Sequence, residues 1–391
     1  MFIPLKYNLR YLITRWTGTL MTALTFALVV AIFIIVMALA RGIERALVTS
    51  GDPLNVMVMR PGVQAEGQSA VSIERAQIVR NYPGIARDER GQPLVAPEVI
   101  VLVNRPKATD GKPTNLQVRG VAPAAFTIRP AVKIVEGRRF RPGLREAIVS
   151  RSVSRRFAGL KLGDRARLGR GEWTIVGLFD AGGTAFDSEM WTDYQELMQE
   201  FDRAAYNTIL LRATDAAAVE ALKHHVDEDR QVKLSAKSER KYYEEQTQTA
   251  GPLKAFGLFL AVIMSIGACF AGMNTMYASV ASRVREIGTL RILGFTPAAI
   301  LISFLIESVA LALAGGAGGC LLALPINMAI NRTASGTTNF QTFSEIIFYF
   351  TITPDLMVTG LVFALIMGTI GGLLPAFSAA RQPILSALRQ V

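Results

Sequence analysis

Residue types that carry out catalysis or bind metals are sparse in this chain of 391 residues. It contains no Gly-x-x-x-x-Gly-Lys-Ser/Thr loop to hold the phosphates of ATP, and no zinc-binding His-Glu-x-x-His motif. The two histidines, His224 and His225, are neighbours, and adjacent side chains of a helix point to different faces. We therefore interpret them as solvated surface residues. The sequence predicts no catalytic site, no metal site and no bound cofactor on this chain.

The segment 282–295, SRVREIGTLRILGF, combines charge with the periodicity of a short helix. Val284, Ile287 and Leu290 recur on one side, as in an amphipathic helix. Gly294 is typical of a helix end, and Thr296-Pro297 predicts the cap and first turn of the next helix. The charges come from four residues: Arg283, Arg285, Glu286 and Arg291. The residues alone fit either an ordinary turn or a helix that docks a soluble partner.

Glu307 is the one acidic residue inside an otherwise apolar stretch. An ionisable group at such depth in a membrane is costly and faces protein or water rather than lipid. One interpretation makes Glu307 a coupling or substrate residue. The other gives it a hydrogen-bond partner such as Asn274, because polar pairs commonly join membrane helices. We favour the hydrogen bond.

Around these residues lie four runs without Lys, Arg, Asp or Glu, at 16–40, 255–282, 308–331 and 356–380. Each exceeds the roughly 20 residues that a helix needs to cross a bilayer. We predict transmembrane helices at 16–40, 253–282, 297–326 and 355–380. The first run could instead be a removed secretory signal, but its 25 uncharged residues exceed the usual apolar region of about 7–15 residues. We favour an uncleaved span.

The net charge of +11 is interpreted through topology, because cytoplasmic loops are enriched in Lys and Arg. The three short segments with this bias are 1–15, 283–296 and 381–391, so we predict cytoplasmic termini. The large segment 41–252 and a short loop at 327–354 are then extracytoplasmic. Residues 1–15 fit either a helix lying on the lipid surface or a basic flank that orients the first span. The charge gives no reason to expect a nucleic-acid partner.

The segment 41–252 mixes strand-like and helix-like patterns, which predicts an α+β domain. Its predicted strands are at 53–59, 94–104, 116–121, 146–150, 173–179 and 208–211. Its predicted helices are at 72–82, 188–203 and 215–226, and the polar segment 238–249 is a candidate helical stalk. Cys269 and Cys320 both fall in predicted spans, so we expect this domain to have no disulfide.

Small residues four positions apart occur in each of the last three spans. The pairs are Ala268 with Gly272, Gly315 with Gly319, and Gly368 with Gly372. Such faces let helices approach closely in lipid. They favour packing within a bundle or a dimer over isolated spans.

The region 253–391 contains an ordered series of motifs that closely resembles the permease signature of FtsX/MacB-type ABC transporters. These motifs are Met273-Asn274-Thr275-Met276, Arg285-Glu286-Ile287-Gly288, Arg291, Leu293-Gly294, Ile300, Glu307-Ser308, the glycines of 315–319, Gly371-Gly372-Leu373-Leu374-Pro375-Ala376, Ala379-Ala380-Arg381, Pro383-Ile384 and Ala387-Leu388-Arg389. In the exported domain, Gln117-Val118-Arg119-Gly120-Val121, Glu136-Gly137-Arg138 and Leu162-Gly163-Asp164 are similar to the MacB-type periplasmic core domain.

The resemblance implies a dimeric permease in a bacterial inner membrane, formed with a second copy or a related permease. It also implies that 283–296 is a coupling helix against a separate ABC ATPase, which would carry ATP and Mg. The coupling residues implied are Arg283, Arg285, Glu286, Ile287, Gly288, Arg291, Leu293 and Gly294. Whether a periplasmic adaptor is a further partner is left open by the sequence.

The resemblance leaves three functions to be distinguished. We favour export or extraction of a substrate, driven by movement of the exported domains. FtsX-like signalling to a cell-wall hydrolase is the second, and the exported domain is larger than that role requires. A membrane-anchored receptor for an external ligand is the third. It would need a cytoplasmic output domain, and we see only short cytoplasmic segments.

Overall fold

The computed structural model describes residues 16–247, 250–332, 336–338, 344–347 and 350–382. The predicted surface helix at 1–15 and the tail from residue 383 lie outside the described residues. The chain divides into a membrane unit and an extracytoplasmic unit, the latter made of Gly42–Gly251 and Thr333–Tyr349. Each unit is described by itself below.

Four long apolar helices form the membrane unit, in agreement with the predicted number of spans. They are the first span (Trp16–Val48), the second span (Ala250–Ser282), the third span (Pro297–Arg332) and the fourth span (Pro354–Ala380). All four are long and apolar enough to cross a membrane. The first and third helices extend beyond the predicted 16–40 and 297–326. A short helix, Val284–Ile292, joins the second span to the third and is called the loop helix below.

Glycines of the third span bring the first span into backbone contact. A Cβ atom on Gly315 would lie 2.6 Å from the carbonyl oxygen of Ala23, and one on Gly319 would lie 2.6 Å from that of Ala27. The fourth span packs on the third in the same way, through Gly368. The small residues singled out in the sequence therefore serve packing within one chain, as van der Waals packing in lipid requires.

The extracytoplasmic unit is built on a ten-stranded mixed sheet. The strands of the unit are β1 Asn55–Met59, β2 Val71–Ser72, β3 Val95–Pro106, β4 Pro113–Val121, β5 Lys133–Gly137, β6 Glu146–Ser150, β7 Arg165–Leu168, β8 Gly171–Asp180, β9 Glu189–Asp193, β10 Ala205–Tyr206, β11 Thr208–Arg212, β12 Ser235–Ser238, β13 Gly336–Thr338 and β14 Glu345–Ile347. The order in the large sheet is β12-β1-β11-β3-β4-β9-β6-β8-β5, and β7 pairs with β8. Only β4 with β9 and β6 with β8 are parallel within this sheet.

Helices cover both faces of this sheet, which confirms the predicted α+β class. The helices are α1 Ile73–Val79, α2 Ala125–Ile128, α3 Arg151–Arg156, α4 Tyr194–Glu200, α5 Ala216–Glu228 and α6 Glu239–Gln246, with 3-10 turns at Glu66–Gln68 and Ala185–Ser188. Because strand side chains alternate, Val56 and Val58 of β1 enter the large apolar core with α1, α3, α4 and α5. Asn55 and Met57 lie on the opposite face. That face is covered by aromatic residues such as Trp191, Phe186 and Tyr243.

Two helix predictions in this domain need correction. The predicted helix at 188–203 begins with a strand, because Glu189–Asp193 is buried throughout and pairs with β4 and β6. Pairing in the middle of a sheet outweighs the local helix preference of this segment. The candidate stalk at 238–249 is helical at α6, but Glu239, Tyr242 and Tyr243 are buried within the domain. Residues 248–249 lie outside the described residues.

Candidate coupling site between the second and third spans

The loop helix has the ends that the sequence predicts. Gly294 takes a φ of +93°, and the N–H of Phe295 donates to the carbonyl of Leu290 at 3.1 Å. Only glycine adopts this left-handed conformation at little cost, so it ends the helix. At the next helix, the Thr296 hydroxyl accepts from the N–H of Ala299 at 3.3 Å. The turn between the two helices is thus fixed by local chemistry.

One side of the loop helix is packed against the membrane unit. Ile287 is 2% exposed, and Gly288 beside it is buried. The apolar cluster around Ile287 draws residues from the second, third and fourth spans: Met276, Val280, Ile300, Phe304, Ala376 and Ala379. The loop helix is therefore held by three spans and does not hang free between two.

The other side of the loop helix is exposed and mixes charge with apolar surface. Arg285 and Glu286 are exposed, and Arg291 is half-buried. Ile292 and Leu293 are 58% and 67% exposed. Apolar side chains beside charged ones, on an element whose other side is fixed, form a surface suited to a protein partner.

Arg283, one of the predicted coupling residues, does not belong to this exposed surface, and its role in coupling stays a prediction. It is 3% exposed, and its Nη1 and Nη2 donate to the two carboxylate oxygens of Glu307 at 2.9 and 3.3 Å. The ring of Phe304 lies 5.6 Å from the guanidinium carbon. The charged head of Arg283 is turned inward because it finds there a carboxylate that would otherwise be buried without a counter-charge.

Glu307 has a hydrogen-bonded partner, as favoured from the sequence, but the partner is not Asn274. Besides Arg283, the Ser279 hydroxyl of the second span lies 3.4 Å from Glu307 Oε1, whereas Asn274 is exposed. A guanidinium makes two charge-assisted bonds to a carboxylate, and an amide makes a weaker neutral one. Arg283 therefore displaces Asn274 as the partner, and it also joins the loop helix to the third span.

The extracytoplasmic unit contains a second charged cluster that the sequence analysis missed. Arg119 on β4 contacts the carboxylates of Glu66, Glu98 and Glu189 at 2.5, 2.6 and 2.7 Å. Arg129 contacts Glu98 at 2.5 Å and a further glutamate described below. All these side chains are at most 5% exposed. The alternation of β4 turns Arg119 away from the apolar core that Val118 enters, and the sequence gives no sign that this second face of the sheet is also covered.

Burial and charge act against each other in this cluster. Burial raises the pKa of Glu66 by more than the nearby Arg119 lowers it. Burial also opposes the charge of Arg119, but the surrounding carboxylates outweigh it and keep the pKa of this guanidinium well above its usual value. Arg119 therefore stays charged, and the protonated form of Glu66 is favoured more in the folded domain than in water.

The same cluster holds together the two ends of the extracytoplasmic unit. Glu239, at the start of α6, accepts from Arg129 Nε at 2.9 Å, from Asn55 Nδ2 at 2.7 Å and from the N–H of Asp52 at 3.2 Å. Asp52 and Asn55 follow the first span, and α6 precedes the second span. One carboxylate thus links the chain that enters this domain with the chain that leaves it.

Comparison with known proteins assigns both units. The MacB-like periplasmic core domain matches residues 19–229, and the FtsX-like permease C-terminal domain matches residues 258–384. The chain belongs to the FtsX/MacB-type permeases of ABC transporters. These two matches follow the order of the spans and of the domain between the first two. They confirm that this permease is a multi-pass membrane protein.

Curated relatives show the same relationship at low identity. The permease is 22% identical to the macrolide export ATP-binding/permease protein MacB of Bdellovibrio bacteriovorus over 89% of this chain and 55% of the relative. It is 25% identical to the uncharacterized ABC transporter permease YknZ of Bacillus subtilis over 71% of this chain and 70% of the relative. The permease thus spans about half the length of the MacB relative.

Two solved structures are similar to the extracytoplasmic part of the permease. The extracellular domain of the noncanonic ABC-type transporter YknZ from Gram-positive bacteria is 14% identical, covers 47% of this chain and 98% of its own, and gives a TM-score of 0.36. A domain of a putative permease protein from Porphyromonas gingivalis is 15% identical over 46% of this chain and 84% of its own, with a TM-score of 0.30.

Proposed function

We propose that this permease couples ATP hydrolysis on a separate ABC ATPase to movement of its extracytoplasmic domain, and so drives export or extraction of a substrate. The ATPase would hold ATP and Mg, and the permease would supply the docking surface. The exposed side of the loop helix carries this proposal. It presents Arg285, Glu286, Ile292 and Leu293 together on an element whose opposite side is packed into three spans.

A docking surface transmits a displacement only if it is firmly attached to the parts that must move. The loop helix meets this condition because Ile287 packs on residues of the second, third and fourth spans. A helix pushed by a soluble partner would therefore displace the membrane helices and would not bend by itself. In an ordinary connector, no such packing is required.

The proposed location is a bacterial inner membrane, with the loop helix and both termini in the cytoplasm. Arg285 and Arg291 of the loop helix support it, because an excess of Lys and Arg marks cytoplasmic segments. We also propose that two permease chains act together. The second span supports this, because only 22% of its apolar stretch is buried, against 50% for the first and third spans. Most of its surface is therefore available to a second chain.

Co-purification tests the proposal directly. The tagged permease is isolated in mild detergent from cells that express it with its neighbouring genes, and the accompanying chains are identified. We expect an ABC ATPase in the complex, and ATP hydrolysis that depends on it. ATP turnover by the purified permease alone would contradict the separate ATPase. Isolation of the intact permease without any ATPase, under conditions where both are made, would contradict the coupling function.

A further inference from the structure

The Arg283–Glu307 pair lies where a displacement of the loop helix would enter the third span. Arg283 directly follows the last residue of the second span and precedes the first residue of the loop helix. Glu307 lies ten residues into the third span, about 15 Å along a helix that rises 1.5 Å per residue. Both side chains are 3% exposed. The pair thus joins three helices at one buried point.

The two kinds of anchor on the loop helix differ in what they can transmit. The packing of Ile287 holds the loop helix against the three spans, but each apolar contact in it is weak and forms no directional bond. The Arg283–Glu307 pair makes two N–H···O bonds, and such a pair fixes orientation as well as distance. The ion pair therefore adds a directional constraint on the angle between the loop helix and the third span.

Stability alone does not explain this pair. Taking two charges out of water costs so much that a well-packed apolar pair of similar volume often stabilises a protein equally well or better. The ring of Phe304 lies beside the guanidinium of Arg283, so an apolar side chain in place of Arg283 would have an apolar neighbour. A bundle that needed only cohesion would have no need of the charges.

We propose that Arg283 and Glu307 are positioning residues that lock the loop helix to the third span, so that the two move as one body when the ATPase displaces the loop helix. The role of the pair in coupling rests on the proposed function, but the rigid connection between the two helices does not. The pair fixes the orientation of the loop helix relative to the third span, and the exposed residues of the loop helix make the contact with the ATPase.

Spin labels on the full-length permease test this inference in lipid nanodiscs. One label replaces Thr289, which is exposed on the loop helix, and the other replaces Leu313, which is 36% exposed on the third span. The buried Cys269 and Cys320 are first changed to alanine. Three chains are compared: the unaltered pair, the apolar double variant Arg283→Met/Glu307→Met, and the exchanged variant Arg283→Glu/Glu307→Arg.

We expect the distribution of distances between the two labels to be narrow in the unaltered pair and at least twofold broader in the apolar variant. In the exchanged variant it should be narrower than in the apolar variant. The apolar variant should keep its melting temperature and its ATPase association. An apolar variant with the original width of the label distance distribution would overturn the inference. So would an exchanged variant as broad as the apolar one.

The two proposals fail in different ways in this experiment. The label distances are measured without nucleotide or ATPase, so they test the lock even if no ATPase binds the permease. Conversely, a permease that binds its ATPase but shows no broadening keeps its proposed function and loses only the lock.

Discussion

Glu286 is the acidic residue of an otherwise basic exposed surface. A residue that served only to keep the loop in the cytoplasm would be Lys or Arg, so its charge has another purpose. Glu286 is exposed on the loop helix, while Arg283 at the same end is buried against Glu307. In the proposed function, contact with a basic or amide-donating groove of the ATPase would account for a carboxylate at this position.

We predict that Glu286→Ala lowers association with the ATPase at least tenfold while the permease remains folded and inserted. Loss of one partner of a buried charged contact costs about 2–5 kcal/mol, and about 1.4 kcal/mol corresponds to a factor of ten. Binding is measured by titration of the purified ATPase onto permease in nanodiscs. Glu89→Ala, an exposed acid of the extracytoplasmic unit, is the matched control. Equal affinity of both variants would reduce the loop helix to a connector.

The ends of the loop helix could be predicted from the sequence, and the ion pair between Arg283 and Glu307 could not. Gly294 and Thr296 identify the ends of the loop helix because each acts on residues a few positions away. The inward turn of Arg283 depends on Glu307, which is distant in sequence and becomes a neighbour only when the spans pack. Charge in a short cytoplasmic segment ordinarily indicates exposure, so the sequence placed Arg283 on the wrong side.

Among the elements, α6 connects to the extracytoplasmic sheet through a buried charge. We predict that Glu239→Ala lowers the free energy of unfolding of this domain by about 3–5 kcal/mol, because it leaves Arg129 without one of its two carboxylates. Arg170→Ala, which breaks the exposed pair with Asp202, should cost less than about 1 kcal/mol. Thermal unfolding of the two full-length variants makes the comparison, and equal losses would contradict it.

The raised pKa of Glu66 predicts a pH dependence of stability. A carboxyl whose pKa is higher in the folded state than in the unfolded state binds more protons when folded, so stability falls as pH rises above the unfolded value. We expect Glu66→Gln to remove this contribution. The melting temperature of the variant minus that of the unaltered chain should therefore increase from pH 4.5 to pH 7. A constant difference across this range would show that Glu66 does not hold the proton.

The glycine face of the third span provides a prediction about packing. We expect Gly319→Ala to destabilise the membrane unit by about 1–3 kcal/mol, since its new methyl group would overlap the first span. Gly267→Ala on the second span is the control, because a Cβ atom there meets no atom within 4 Å. Melting in detergent compares the two. Similar melting temperatures would mean that the first span adjusts without cost.

Elements with a local signal in the sequence were predicted well, and an element defined by its neighbours was not. The strand at Glu146–Ser150 follows from its run of Ala, Ile and Val, and the helix capped by Asp215 follows from capping chemistry. The strand Glu189–Asp193 has no clear alternation and leads directly into a helix, so the whole segment resembles one helix in sequence. Its position between β4 and β6 decides the matter, and that position is a property of the sheet.

Over the whole molecule, the net charge of +11 has a different origin from the one inferred from topology. Residues 129–170 contain thirteen Lys and Arg against three Asp and Glu. This excess lies in the extracytoplasmic unit, so the basic segments flanking the spans do not account for the total. The bias of the short segments remains the basis of the proposed orientation, and it needs a direct test.

Cysteine labelling of intact cells tests the orientation. We expect Glu172→Cys to react with an impermeant maleimide and Leu293→Cys to react only after the cells are opened, because both positions are exposed and lie on opposite sides in the proposed topology. Ser188 and Asn207 also lie in the domain that the proposed topology places outside, but each is only 4% exposed and would give a false negative. Reaction at position 293 in intact cells would reverse the orientation.

A ribosome makes the first span long before it makes the glycines that the span packs against. Ala23 and Ala27 meet Gly315 and Gly319, and residues Gly42–Gly251 of the extracytoplasmic unit and the second span are synthesised between them. During that interval the first span stays in the lipid without the neighbour that later buries it. The extracytoplasmic domain is therefore translocated, and begins to fold, while its first membrane anchor is still unassembled. Completion of the bundle is a late step in the biogenesis of this permease.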